Sequence, residues 1–327
     1  MVKNKIILII PYFGKLPNYA RYFFQSVKYN SNIIDILLLT DQDISLLGDN
    51  IFIKKIKFEE LKKLIQEKFP FEIFLDKPYK LCDYRPAYGY IFENLLDGYD
   101  FWGHCDLDEI FGDISKFLND DLLNKYDKIG QHGHFTLYKN NYNNNRVFMR
   151  QGGRLEYKDV FQSAKNYVFD EVLGIQTKFD ELQLKTYKGW DFFDINPWKY
   201  HIKRVVSHVP NEVLSQGFDY NKEVIFWKNG KAYIYSEEGG LKELLYVHFQ
   251  KRNISIEDGI EGMPFFISNE SFNFCSNIDL DAINFDYENK YSKRKEFNYF
   301  LKKNMFIWKR RFYNRIILAI SERIKKQ

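Results

Sequence analysis

The chain has 327 residues, 45% hydrophobic and 28% charged, so it is long enough for one large globular domain or two small ones with a substantial core. Its formal net charge of +4 is uneven: residues 302–327 hold nine Lys and Arg against Glu322 alone, a net +8, which leaves the remainder at −4. A mildly acidic body disfavours nucleic-acid binding, and three scattered cysteines, Cys82, Cys105 and Cys275, suggest neither a disulfide framework nor a zinc site.

No run approaches the ~20 apolar residues of a membrane span. Ile6 to Ile10, behind Lys3 and Lys5, is too short for a signal segment and is stopped by Pro11. A cytoplasmic location is expected, with the basic tail as a possible peripheral contact to the inner face of a plasma membrane. Aromatics reach 18%, with 31 Phe and 24 Tyr, which fits a compositional bias better than a set of sugar-stacking platforms.

Lys5 to Ile10 reads as a strand buried on both faces of a parallel sheet. Pro11-Tyr12-Phe13-Gly14 turns the chain, and Asn18 to Tyr29 reads as a helix capped by Asn18. Ile34 to Leu39 and Ile51 to Ile56 are further strands, the first ending in Thr40-Asp41, and a helix runs from about Phe58 to Phe69. This alternation predicts an α/β fold, a mostly parallel sheet with helices on both faces. Ligands in such sheets sit outside the carboxyl ends of the strands. Pro11, Tyr12, Phe13, Asp41 and the Asp106/Asp108 pair all fall there. The first strand is followed by neither a dinucleotide-binding Gly pattern nor a Walker A sequence.

Lys77 to Arg85 opens a helix on which Lys80 and Asp83, at i and i+3, could reach a phosphate and a ribose or base edge; a surface ion pair reads equally well. Phe101-Trp102-Gly103-His104-Cys105-Asp106-Leu107-Asp108 is an apolar strand running into two carboxylates, a pattern suited to Mg²⁺ or Mn²⁺ but common by chance. Ile114 to Tyr126 reads as a helix and His132 to Tyr138 as a strand, which returns His134 to the sheet edge near the pair. Asn140 to Asn145 is a polar loop. The acidic doublets Asp170-Glu171 and Asp180-Glu181 are each candidates to address an acceptor hydroxyl or simply to be solvated.

Val224 to Tyr235 is a hairpin with Asn229-Gly230 as a type I′ turn. Leu244 to Arg252 reads as a strand carrying His248, followed by Lys251 and Arg252. The histidine suits either a Mn²⁺ site or a satisfied core position, and the two cations suit a leaving diphosphate. Residues 304–326 read as a basic amphipathic helix, either lying on an anionic membrane surface or docked on the domain.

Asp106-Leu107-Asp108 at a strand end, the Lys-x-x-Asp segment before it and the distant His-Phe-Gln-Lys-Arg resemble the GT-A glycosyltransferases. More closely, Ile-Pro-Tyr-Phe-Gly at 10–14, Asp-Lys-Pro-Tyr-Lys-Leu-Cys-Asp at 76–83, Trp-Gly-x-x-Asp-Leu-Asp at 102–108 and Gly-His-Phe at 133–135 resemble bacterial capsular and cell-surface polysaccharide glycosyltransferases. The likeness spans about residues 5–252 and is most specific over 76–108. It implies a catalytic domain over 1–255, with a nucleotide-sugar half to about 140 and an acceptor half from 141, and an extension over 256–327.

By position, the resemblance makes Asp106, Asp108 and His248 the ligands of Mn²⁺ or Mg²⁺. Tyr12, Asp41, Lys80 and Asp83 become nucleotide contacts and Lys251 a diphosphate contact. Asp170 and Glu171 fall on the acceptor or donor-sugar side. The implied activity is transfer of a hexose from a nucleoside-diphosphate sugar, of the UDP class, to a hydroxyl of a cell-surface glycan or lipid-linked precursor. A metal-dependent phosphoesterase or nucleotidyltransferase, or a non-catalytic carbohydrate- or nucleotide-binding module, are the competing readings. After His248 the chain departs from the related sugar-transferase signature, which continues with a Gly and a Lys-Pro-Trp that this chain lacks.

Overall fold

The computed structural model describes residues 3–45, 48–205, 223–237, 239–250, 252–256 and 262–324. Sixteen strands lie in that range: β1 Ile6–Tyr12, β2 Ile34–Thr40, β3 Ile51–Lys55, β4 Phe101–Cys105, β5 Glu109–Phe111, β6 Lys128–His132, β7 Phe135–Lys139, β8 Thr186–Tyr187, β9 Phe192–Asp194, β10 Glu223–Lys228, β11 Lys231–Ser236, β12 Gly240–Leu244, β13 Tyr246–His248, β14 Ser255–Ile256, β15 Phe265–Ile267 and β16 Ser271–Phe274.

The central sheet has the order β3-β2-β1-β4-β7-β6-β8. Only β7 runs against the rest, antiparallel to both β4 and β6. The α/β class with a mostly parallel sheet is therefore the one observed. Its cause is visible in β1: Ile6, Leu8 and Ile10 enter one apolar cluster while Ile7 and Ile9 enter another on the opposite face, so every side chain of that Ile/Leu run is buried. The chain steps outward from β1 to β2 and β3, then returns to lay β4 on the other side of β1. That reversal leaves a crevice outside the carboxyl ends of β1 and β4.

A second sheet has the order β12-β11-β10-β15-β16-β14, and a small one the order β5-β13-β9. The second sheet takes strands from both sides of residue 255, with β14 lying at that position. Asn229 and Gly230 both have positive φ, 51° and 77°, as the type I′ turn requires.

Several expected elements differ in detail. Asn18 does not cap the helix Ala20–Lys28; its amide donates instead to Ile254 O at 2.9 Å. The helix expected over 114–126 breaks into Ile114–Phe117 and Asp120–Lys125, because Asn119 restarts it by accepting from Leu122 N. Leu245 divides the strand expected from 244, handing β12 to the second sheet and β13 to the small one. The strand expected over 132–138 is two, and His134 lies in the turn between β6 and β7. The C-terminal helix is longer than expected, Lys293–Ile324. The three cysteines form no disulfide, and no helix among the described residues is long and apolar enough to cross a membrane.

Candidate active site

Three strand pairings assemble the site. Asp106 follows β4, and its N–H donates to His134 O at 2.9 Å, fixing the turn that carries His134. Asp108 precedes β5, and its carbonyl accepts from Phe249 N at 3.0 Å, just beyond β13. Glu109, His248 and Asp194 lie in register across β5, β13 and β9. Residues far apart in sequence thus meet where the small sheet abuts the carboxyl end of β4.

His248 Nε2 lies 3.5 Å from Asp108 Oδ1 and 3.9 Å from Asp106 Oδ2, while Nδ1 is 2.9 Å from Asp194 Oδ1. Asp106, Asp108 and His248 offer one ligand atom each, all within 4.8 Å of one another. Two carboxylates and an imidazole backed by a third carboxylate form a donor set that fits Mn²⁺ or Mg²⁺, with Asp194 orienting the ring. Burial works against charge on His248, but the Asp108 and Asp194 carboxylates outweigh it and raise its pKa well above the ordinary imidazole value.

Arg85 bridges the remaining acids. Its Nη2 donates to Asp106 Oδ1, and its Nη1 to Asp170 Oδ2 at 2.9 Å and Gly133 O at 2.8 Å. Asp106 therefore gives one oxygen to the guanidinium and turns the other toward His248. Burial raises the Asp170 pKa to about 7, against the pull of Arg85, and burial also raises Glu171. Burial keeps His134 neutral by lowering its pKa well below the usual value. The imidazoles of His132, His134 and His248 form a file, with centroids 5.2 and 4.6 Å apart.

Asp106 stands between two cavities. The larger, about 350 Å³, is the crevice between β1 and β4; Pro11, Tyr12, Phe13, Tyr79, Arg85 and Asp108 are among its lining. The smaller, about 220 Å³, is lined by the three histidines with Glu171, Trp190, Phe192, Asp194 and Gln250. An aromatic wall beside hydrogen-bonding carboxylates is the composition of a small polar-ligand pocket.

The expected site residues divide accordingly. Pro11, Tyr12, Phe13, Asp106 and Asp108 line the larger cavity; His134, His248 and Glu171 line the smaller, and Asp170 sits behind Glu171 against Arg85. Asp41 is on the exposed rim, where it accepts from Gly14 N at 3.0 Å and so braces the turn after β1. Asp180 and Glu181 lie elsewhere, paired with Lys188 and the Gly153 N–H. Lys251 falls outside the described residues.

Lys80 and Asp83 need correction, because neither reaches the crevice. Pro78–Ala87 is a 3₁₀ helix, with about three residues per turn, so i and i+3 eclipse. One row, Tyr79, Cys82 and Arg85, faces the crevice, and the Lys80/Asp83 row faces the core. The buried Lys80 amine donates to Asp83 Oδ2 at 2.8 Å and to the carbonyls of Val160 and Lys165. Asp83 accepts from the N–H groups of Tyr167 and Phe169. The pair holds the segment that leads into Asp170 and Glu171. Arg252 is likewise withdrawn from diphosphate binding: its guanidinium is buried and donates to the carbonyls of Asn196, Lys199, Tyr200 and Asn269.

Arg85 and Asp194 were not picked out from the sequence. A spacing of three from Tyr79 through Cys82 marks the Arg85 row once a 3₁₀ helix is known, but Asp194 ends a three-residue strand with no distinguishing pattern.

A family of unknown function (DUF6625) matches residues 8–276. No curated protein matches the chain. Among solved structures, the galactosyltransferase LgtC, crystallised in complex with donor and acceptor sugar analogues, is similar at 13% identity and a TM-score of 0.36, over 76% of this chain and 88% of that one.

Proposed function

The chain belongs to the family of unknown function DUF6625, and we propose that it is a metal-dependent glycosyltransferase moving a hexose from a nucleoside-diphosphate sugar, of the UDP class, to a hydroxyl of a glycan or lipid-linked acceptor. The observation that carries this reading is the position of Asp106, between a crevice of nucleotide size and a smaller polar pocket, with Asp108 and His248 completing a cation-binding set at the junction. A nucleotide sugar has that order of parts: base and ribose, then charged diphosphate, then a hydroxylated ring. The sequence likeness over 76–108 supports the same reading.

In this arrangement Tyr12, Phe13 and Tyr79 receive the base and ribose. Asp106, Asp108 and His248 hold Mn²⁺ or Mg²⁺, which when bound supplies Lewis-acid neutralisation of the leaving diphosphate. Arg85 keeps Asp106 oriented. Trp190 and Phe192 wall the pocket for the sugar, and Glu171, which opens onto that pocket, meets a sugar or acceptor hydroxyl. Asp170 is removed from the pocket by Arg85, so Glu171 is the member of the doublet placed to act on substrate.

The test is release of UDP from a panel of UDP-sugars with Mn²⁺, comparing wild type with Asp108→Ala. Turnover of at least one donor, lost in the variant and in EDTA, is the expected result. Full activity of Asp108→Ala or in EDTA overturns the metal assignment. Release of UMP and sugar 1-phosphate instead of UDP returns the site to a phosphoesterase.

A further inference from the structure

Up to Phe312, the C-terminal helix Lys293–Ile324 touches the body through one face and leaves the opposite face uncovered. On the docked side, Lys295 Nζ donates to Glu270 Oε2 at 2.5 Å and Tyr200 Oη at 3.1 Å, Tyr299 lies 5.9 Å from the Tyr200 ring, and Phe306 lies 5.1 Å from Trp198. Residues 295, 299 and 306 share a face at spacings of four and seven. Phe297, Leu301, Met305, Trp308 and Phe312, at spacings of four, four, three and four, share another, turned away from the body. These five large apolar side chains are 48–63% exposed, and Trp308 and Phe312 stack on each other at 5.5 Å.

The charge around this stripe indicates what covers it. From residue 293 to 312 the sequence holds eight Lys and Arg (293, 294, 295, 302, 303, 309, 310, 311) against Glu296 alone, a net +7. A second copy of the helix would set the same net +7 against this one and be repelled. A nucleic acid would satisfy the cations but leave the apolar stripe in water. An anionic bilayer surface satisfies both, burying the apolar side chains at the level of the headgroups and attracting the cations.

We propose that this face is a peripheral membrane-binding surface for anionic phospholipid, in which Phe297, Leu301, Met305, Trp308 and Phe312 enter the interface and Lys302 and Lys309, along one flank of the stripe, meet lipid phosphates. The proposal does not depend on the reaction assigned above.

The full chain is sedimented with vesicles of phosphatidylcholine alone and of phosphatidylcholine with 30% phosphatidylglycerol, at about 0.1 and 0.5 M NaCl, a range over which exposed charges become screened. Binding to the anionic vesicles, at least tenfold weaker on neutral ones and weakened by salt, is expected. Met305→Ser/Trp308→Ser/Phe312→Ser and, separately, Lys302→Glu/Lys309→Glu are each expected to lose at least tenfold in binding with an unchanged thermal midpoint. Equal binding to both vesicle types overturns the proposal, as does unchanged binding by the serine variant or wild type left in the supernatant. A dimer in light scattering that the serine variant converts to monomer, without vesicle binding, assigns the stripe to self-association instead.

Discussion

His248 Nδ1 and Asp194 Oδ1 lie 2.9 Å apart although 54 residues separate them, because β13 and β9 pair in parallel with these two residues in register. This contact sets which imidazole nitrogen faces Asp106 and Asp108. Asp194→Asn should leave the fold intact and weaken Mn²⁺ binding by about 10- to 100-fold, the usual effect of losing a carboxylate behind a ligating histidine. Titration of Mn²⁺ followed by calorimetry checks this; unchanged affinity would mean that Asp194 has no orienting role.

The Lys80–Asp83 pair is structural. Asp83→Ala leaves a buried ammonium without its carboxylate and frees the N–H groups of Tyr167 and Phe169, which should cost about 3–5 kcal/mol. Urea denaturation measures the loss. A variant as stable as wild type but unable to bind UDP would restore Asp83 to the nucleotide site.

Gly133 is where the acidic doublet approaches the β6–β7 turn. A Cβ there would lie 2.6 Å from Asp170 Oδ2 and 2.9 Å from Glu171 Oε1. Gly133→Ala should therefore displace both carboxylates, at a cost of about 1–3 kcal/mol in stability. Donor turnover should fall at least tenfold while Mn²⁺ affinity changes less. Wild-type turnover in this variant would show that the doublet is not part of the chemistry.

Lys128 makes stability depend on pH. Its amine donates to Gly130 O at 2.6 Å and Gln176 Oε1 at 2.9 Å, and burial, outweighing the attraction of Asp180, pushes its pKa from 10.5 to about 7. Between those values the unfolded chain binds the proton that the folded chain releases, so this group's contribution to stability increases as pH rises above about 7. Relative to Lys128→Met, wild type should gain stability from pH 7 to 9 at up to about 1.4 kcal/mol per unit. Denaturation curves at several pH values decide it; a difference that does not change with pH would refute the depressed pKa.

The parts of the fold that the sequence announced are those whose signal is local. β1, β2 and β4 are near-continuous apolar runs because both faces of the central sheet are covered, and Asn-Gly marked the β10–β11 hairpin. Asp106 and Asp108 stood out because an apolar strand ends on them. The unread parts depend on long-range pairing or on an unusual helical period. Asp194 acquires its role only from the register of β9 on β13. Spacing alone does not say which row of a 3₁₀ helix turns inward, so the sequence does not show that Lys80 and Asp83 face the core. Arg85, on the neighbouring row, takes its importance from Asp106 and Asp170, which lie 21 and 85 residues away.

In the proposed reaction one cation at Asp106, Asp108 and His248 joins a nucleotide crevice to a sugar pocket. A crystal structure of the protein soaked with UDP and Mn²⁺ tests it directly. Mn²⁺ is expected on oxygens of Asp106 and Asp108 and on His248 Nε2, with the diphosphate on the metal and the uracil beside Tyr12 and Tyr79. Mn²⁺ held by other residues, or UDP bound away from the β1–β4 crevice, would contradict it.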